Sequence, residues 1–131
     1  MATKDRLSRL VSKDADGCAD GAEERLAELR KTADEVRTDA VEDADVLSAM
    51  SNETRCVLLH VLRQSEQELC VCELSPVVDV SESAVSHALS DLIDAGLVDR
   101  RKQGKWRYYS LTDRAEEVLD ALDENRAAQT T

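Results

Sequence analysis

Two cysteines one residue apart, Cys70 and Cys72, lie in the run "ELCVCEL" at positions 68–74. Thiolates are soft donors, so a close pair selects thiophilic ions: trivalent arsenic or antimony, cadmium, lead or zinc. The spacing sets a condition. On a regular helix, residues i and i+2 diverge by about 200°, so both sulfurs reach one ion only where the helix is interrupted. Pro76 lacks an N–H and is best tolerated in a helix's first turn. It therefore predicts a helix starting near Glu73 or Leu74, with Cys70 and Cys72 at its pliable start. Two other roles stay open for the pair. Small thiols pack readily in cores, and reactive ones serve as redox sensors. A disulfide across one intervening residue closes a small ring, which weighs against that form.

A second cluster is cationic. Arg100, Arg101, Lys102, Lys105 and Arg107 stand together against Asp99, a local charge of +4. The chain as a whole carries a net charge of −11, with fifteen Asp and only five Lys, and it has no Lys or Arg between Arg63 and Arg100. Such an acidic balance opposes nucleic-acid binding on its face. It is also one means by which halophilic proteins stay soluble. The placement of the cations therefore matters more than their number. No nucleophile–base pair, phosphate loop or carboxylate dyad has supporting context, so an enzyme is not expected. His60 and His87 are isolated and form no metal-binding helix motif. No apolar run approaches the ~20 residues of a membrane span, and the first residues lack a signal-peptide core. A cytoplasmic setting is expected, in which thiols stay reduced.

The elements that must position these groups follow from periodicity. Residues 1–21, polar and containing Gly17 and Gly21, are expected to be mobile. Residues 22–44 read as an amphipathic helix and linker. Asp20 caps the helix, the seam Ala22, Leu26, Leu29, Ala33, Val36 and Ala40 repeats at spacings of three and four, and the acidic stretch 42–46 breaks it. Residues 45–124 form a compact domain. A helix over 51–64 turns Leu58, Leu59 and Leu62 inward, and the cysteine segment follows. A second helix over 80–96 is capped by Ser81, faces inward through Val85, Ala88, Leu89, Leu92 and Ile93, and ends at Gly96. Leu97 to Leu111 changes period and predicts a hairpin with a basic turn. A last helix, capped by Thr112 or Asp113, carries Ala115, Val118, Leu119 and Leu122 on one stripe, and residues 125–131 are expected to fray. The order of helix, short helix, tight turn at Asp79, helix and hairpin is that of a winged helix-turn-helix. The fold class is mainly α with a β-hairpin wing (α+β).

Four segments resemble the arsenical-resistance repressor (ArsR/SmtB) family: "SNETR" (51–55), "ELCVCEL" (68–74), "SESAVSHALSDLIDAGLV" (81–98) and "RRKQGKWRYYSL" (100–111). The match covers roughly residues 46–124. The resemblance implies a homodimeric repressor that holds double-stranded operator DNA and releases it when a thiophilic ion binds Cys70 and Cys72. As(III) or Sb(III) comes first, with Cd(II), Pb(II) or Zn(II) as alternatives. Trivalent arsenic favours three sulfurs, and Ser75 stands where some members have a third. Other members recruit an N-terminal cysteine, which makes Cys18 the candidate third ligand. The family's other metal site, on the last helix, is not matched: Asp113 is present, but Ala115, Arg126 and Gln129 occupy the remaining places. On the DNA side, Ser81 and Ser83 at the recognition-helix start and Arg100, Arg101, Lys102, Lys105 and Arg107 of the wing would meet phosphates. Ser86, His87 and Ser90 would face base edges. Alternative readings are a thiol redox-responsive repressor, a thiol metal buffer, and an interaction module without DNA binding.

Overall fold

The structure, a computed structural model, describes residues 19–129. Cys18, the rest of the N-terminal segment and the last two residues lie outside them. The first helix, α1 (Ala19–Met50), is longer at both ends than the sequence suggested. It includes Asp20, and it runs unbroken through the acidic stretch 42–46. No Gly or Pro occurs between Ala22 and Met50, and Glu and Ala are good helix formers, so nothing local stops it before Ser51. By its contacts the chain divides after Glu42 into two compact units. In the first, Val36 is half exposed and Val41 faces solvent.

The second unit, from Asp43 onward, holds the remaining elements. Ala49 and Met50 of α1 are buried in its core, with Val46 packed against them. Helix α2 (Glu53–Ser65) starts at Asn52, whose side chain accepts the Arg55 N–H at 3.0 Å, and it buries Leu58, Leu59 and Leu62 as expected. Helix α3 (Val71–Val78) is short and ends at Asp79 in the left-handed conformation, φ 57°. Asp tolerates that backbone better than most residues. Helix α4 (Glu82–Asp94) buries Val85, Ala88, Leu89 and Leu92. Gly96, at φ +73°, lets the Leu97 N–H turn back to the Leu92 carbonyl at 2.9 Å. That is a capping turn that glycine adopts without steric cost.

Strands β1 (Val98–Gln103) and β2 (Trp106–Leu111) pair antiparallel from Val98↔Leu111 to Gln103↔Trp106, leaving Gly104 and Lys105 as a two-residue turn. Helix α5 (Asp113–Gln129) is capped by Thr112. The Thr112 hydroxyl accepts the Ala115 N–H at 3.2 Å and donates to the Gly96 carbonyl at 2.7 Å. Ala115 and Leu119 are buried, while Leu122 is exposed. The tail expected to fray from residue 125 is helical to Gln129. Among the described residues, no helix is long and apolar enough to cross a membrane.

Arg63 of α2 clasps α5, donating to Asp120 and Asp123, while Arg126 also donates to Asp123. The guanidinium of Arg63 holds the Asp123 carboxyl below the usual carboxylate range; Arg126 adds to this and partial burial opposes it. A carboxylate with a depressed folded pKa stabilises the fold above its unfolded value, near 4, and loses that contribution as pH falls through the lower folded value. Urea unfolding from pH 6 down to pH 2 should therefore show a loss of stability below about pH 4 that is smaller in Asp123→Asn.

Candidate thiol site and nucleic-acid interface

The sulfur pair sits at the start of α3, but that start lies earlier than Pro76 implied. The Leu74 N–H donates to the Cys70 carbonyl and the Cys70 N–H donates to the Glu73 carboxylate, both at 3.1 Å. These bonds close the first turn on Cys70. Cys72 is thus inside the helix and Pro76 falls in the second turn, where its missing N–H deprives the Cys72 carbonyl of its helical donor. Cys70 itself is extended, φ −95° and ψ 167°. This change of backbone between positions 70 and 72 removes the divergence that a continuous helix would impose. The two sulfurs are joined as a disulfide with Cα atoms 5.3 Å apart, a separation ordinary for such bonds. The bridged form, disfavoured from ring size alone, fits because Cys70 lies outside the helix.

The two sulfurs differ in access. Cys70 is buried, at 6% exposure, and Cys72 is exposed. An ion could use both only after the bridge is reduced. Among the described residues, no group of three or more His, Cys, Asp or Glu side chains could hold a metal ion; Cys18, the expected third sulfur, lies outside them. Cys56 is half-buried against the core, its thiol donating to the Met50 carbonyl at 2.8 Å.

The segment before the pair is fastened to the wing. Leu69 and Tyr109 exchange both backbone hydrogen bonds, at 3.0 and 2.8 Å. The Glu68 carboxylate takes two bonds from Arg101 Nε, at 3.0 and 3.1 Å. The Arg101 guanidinium also lies over the Tyr108 ring, 5.2 Å from its centroid. Its pKa is raised, chiefly by the hydrogen bond and charge of Glu68. Arg101, expected among the phosphate contacts, is therefore paired within the molecule through Nε, with its side chain about half exposed. The alternation of β1 places it on the opposite face from Arg100 and Lys102, a distinction that a list of cations does not show.

The other wing cations, Arg100, Lys102, Lys105 and Arg107, are exposed. Lys102 and Arg107 are directly opposite each other across the hairpin. Like charges so placed repel, and an anion between them would relieve the repulsion. Helix α4 exposes Ser81, Ser83, Ser86, His87 and Ser90. Ser81 caps it by accepting the Ala84 N–H at 3.1 Å. Arg55 of α2 braces its far side, donating to Asp91 at 3.5 Å and to the Ala49 carbonyl of α1 at 2.6 Å. Neither this brace nor the Glu68–Arg101 pair is legible in the sequence, where only the charges themselves appear. Tyr109 is the wing aromatic that packs inward, and Trp106 is 58% exposed.

A groove of about 310 Å³ runs between α4 and the wing and reaches the sulfur pair. Its walls include Cys70, Cys72, Ser86, Lys105, Trp106 and Arg107. Residues singled out for soft-ion chemistry and residues singled out for DNA contact thus share one concavity. A larger cleft of about 490 Å³, between the end of α2 and α5, is lined largely by carboxylates around Arg63 and touches none of these groups.

The description "bacterial regulatory protein, arsR family" matches residues 52–100. A Halobacterium salinarum protein named "Putative arsenical resistance operon repressor ArsR" is 46% identical over 128 residues, covering 96% of this chain and 99% of that one. The transcriptional repressor SmtB homolog of Synechocystis is 39% identical over 107 residues, covering 76% of this chain and 80% of its own. Among solved structures, NolR from Sinorhizobium fredii superposes with a TM-score of 0.62 at 36% identity, over 69% of this chain and 89% of that one. The homodimeric winged helix-turn-helix domain Mb0332 of Mycobacterium bovis gives 0.63 at 26% identity, over 73% and 87%. The two relatives matched by sequence are named as repressors, and the Mycobacterium bovis structure as a DNA-binding domain.

Because Ser81 supplies the cap of α4, Ser81→Ala should lower stability by about 1 kcal/mol. Urea denaturation would measure this, with Ser90→Ala, exposed in mid-helix, as the control expected to change it little.

Proposed function

The chain belongs to the ArsR family of regulatory proteins, and on that premise we propose that it is the repressor of a metalloid- or metal-resistance operon. It binds operator DNA as a homodimer and lets go when a thiophilic ion bridges reduced Cys70 and Cys72. Arsenite or antimonite is the favoured inducer; cadmium, lead and zinc are the alternatives. The single observation that carries this reading is the position of the sulfur pair. It opens the first helix of the helix-turn-helix and shares a groove with the recognition helix α4 and the wing.

The mechanism follows from what holds the pair in place. An ion held between the two reduced sulfurs sets them further apart than the bridge does and so acts on Cys70, whose N–H and carbonyl close the first turn of α3. It also pulls on Leu69, which is paired with Tyr109 of the wing. Both DNA-facing elements are therefore attached to the atoms that must move. Cys18 serves as the third sulfur where the ion demands one. In DNA binding, Ser81 and Ser83 meet phosphates at the start of α4. Ser86, His87 and Ser90 face base edges, and Arg100, Lys102, Lys105 and Arg107 grip the backbone. Arg101 instead braces the wing through Glu68. The exposed Val36, Val41 and Leu47 of α1 and Leu122 of α5 offer apolar surface to a second copy. The setting is the cytoplasm.

The bridged state of the pair favours a second reading, a repressor that responds to thiol oxidation. One experiment separates the two. A mobility shift on the DNA upstream of the chain's own gene, run with reduced and with oxidised protein, should show release of the reduced complex by arsenite. That release should be lost in Cys70→Ser and Cys72→Ser. Release by oxidation alone would select the redox reading, and arsenite release that survives both substitutions would eliminate the sulfur site.

The salt dependence should report the wing. Each phosphate contact contributes about 0.9 to the slope of log affinity against log salt. Lys102→Gln should thus flatten the slope of a dimer by roughly 1.8, whereas Arg101→Gln should leave the slope unchanged and weaken binding at all salt concentrations.

A further inference from the structure

The groove between α4 and the wing holds a disulfide with one exposed and one buried sulfur, and cations stand beside it. We infer that this groove is a thiol-exchange site, in which a small carboxylate-bearing thiol attacks Cys72 and thereby both occupies the DNA-facing surface and frees the pair for ion capture. This rests on the repressor reading only in so far as the groove faces DNA.

The direction of attack follows from access. Cys72 is exposed, whereas Cys70 is buried at the N-terminal end of α3. Thiol–disulfide exchange proceeds by attack of a thiolate on an accessible sulfur. The incoming R–S⁻ forms a bond to Cys72 Sγ. The Cys70–Cys72 bond breaks, and its electron pair leaves on Cys70 Sγ, at the end of the helix whose dipole favours negative charge. The group R now stands in the groove as a mixed disulfide on Cys72. A second R–S⁻ attacks the outer sulfur, producing R–S–S–R and the Cys72 thiolate. The net change is two small thiols oxidised to one disulfide and the protein bridge reduced by two electrons. The two protons of the small thiols end on the cysteines.

The ligand class follows from the walls. Lys105 and Arg107 offer two cations to a carboxylate, and Glu82 offers an anion to an ammonium group. A volume of about 310 Å³ suits a compact organic molecule. An amino-acid-like thiol with carboxylate and ammonium groups matches this arrangement. The preference runs against the charge of the whole chain, −11, which by itself would draw cationic thiols and repel anionic ones. That opposition makes the site testable.

Full-length protein in the bridged form would be reduced with mercaptopropionate, mercaptoethanol or cysteamine at matched thiolate concentration. Acid quenching and intact-mass measurement would follow the reaction. Because the more basic thiolate is intrinsically the better nucleophile, each rate is divided by that of the same thiol on a small uncharged disulfide. The groove predicts that the corrected rate of mercaptopropionate exceeds that of cysteamine about 5-fold or more, and that Lys105→Gln/Arg107→Gln abolishes this excess. A corrected rate for cysteamine that is equal or higher, or an excess that survives the double substitution, overturns the inference. In single variants treated with the symmetrical disulfide of mercaptopropionate, peptide mapping should find Cys72 in Cys70→Ser modified about 10-fold faster than Cys70 in Cys72→Ser. Equal rates overturn it as well.

Adding the upstream duplex under conditions where a mobility shift shows binding should slow reduction by mercaptopropionate about 10-fold. Bound DNA that leaves the rate unchanged removes the groove from the DNA face. Failure of the chain to bind any such duplex instead sinks the repressor reading, and the charge preference and the sulfur asymmetry still decide the exchange site.

Discussion

The backbone of Leu69 exchanges two hydrogen bonds with Tyr109, and the next residue is the first sulfur of the pair. This short bridge adds a third strand position to the hairpin and fixes where α3 begins. Cys70 therefore cannot shift far without breaking either the bridge to the wing or the bonds that close the first helical turn. The sulfur pair is small, but it is attached at both ends to elements with defined positions. Glu68 and Arg101 reinforce the same seam from the side, with Tyr108 beneath the guanidinium. An exposed ion pair of this kind contributes little to stability. Its effect is geometric, because it keeps the wing's base in register with the cysteine segment.

Charge is distributed so that an acidic protein can still meet a polyanion. Between Arg63 and Arg100 the chain offers no cation, so the outward face of α4 is hydroxyls, His87 and Glu82. The hairpin supplies the cations instead. It places Lys102 and Arg107 opposite each other, an arrangement that stays unfavourable until an anion arrives. In the second unit the cations outside the hairpin, and Arg101 within it, are engaged within the molecule. Arg63 is taken up by Asp120 and Asp123, Arg55 by Asp91 and two carbonyls of α1, and Arg101 by Glu68. In that unit the exposed cations left for a partner are thus concentrated on the hairpin, close to the sulfur pair.

The core explains why both functional elements hold their positions. Leu74 of α3 is fully buried beside Leu89 and Leu92 of α4, and Leu97, Val98 and Tyr109 carry the same core into the base of the wing. Interiors packed in this way transmit displacement, since side chains have few alternative positions. Helices α1 and α5 differ. Beyond Ala49, Met50, Ala115 and Leu119 they leave Val36, Val41, Leu47 and Leu122 exposed.

Much of this was legible in the chain alone. The apolar periodicities around Leu58, Leu89 and Leu119, the Ser81 cap, the left-handed turn at Asp79 and the stop at Gly96 are local features, set by propensity and by contacts within a few residues. Together they specify the element order of a winged helix-turn-helix. The C-x-C pair and the basic hairpin suggest a chemistry by residue type alone. The errors were also local in origin. The acidic stretch 42–46 reads locally as a break although nothing there forbids a helix, and Pro76 reads as a first-turn residue although bonds from Cys70 start the helix sooner. What only the tertiary structure decided concerns residues far apart in sequence. Arg101 is paired with Glu68, Cys72 is open while Cys70 is covered, and the sulfurs share a groove with Ser86 and Arg107. No local pattern encodes these facts, because each depends on which surfaces the packed core brings together.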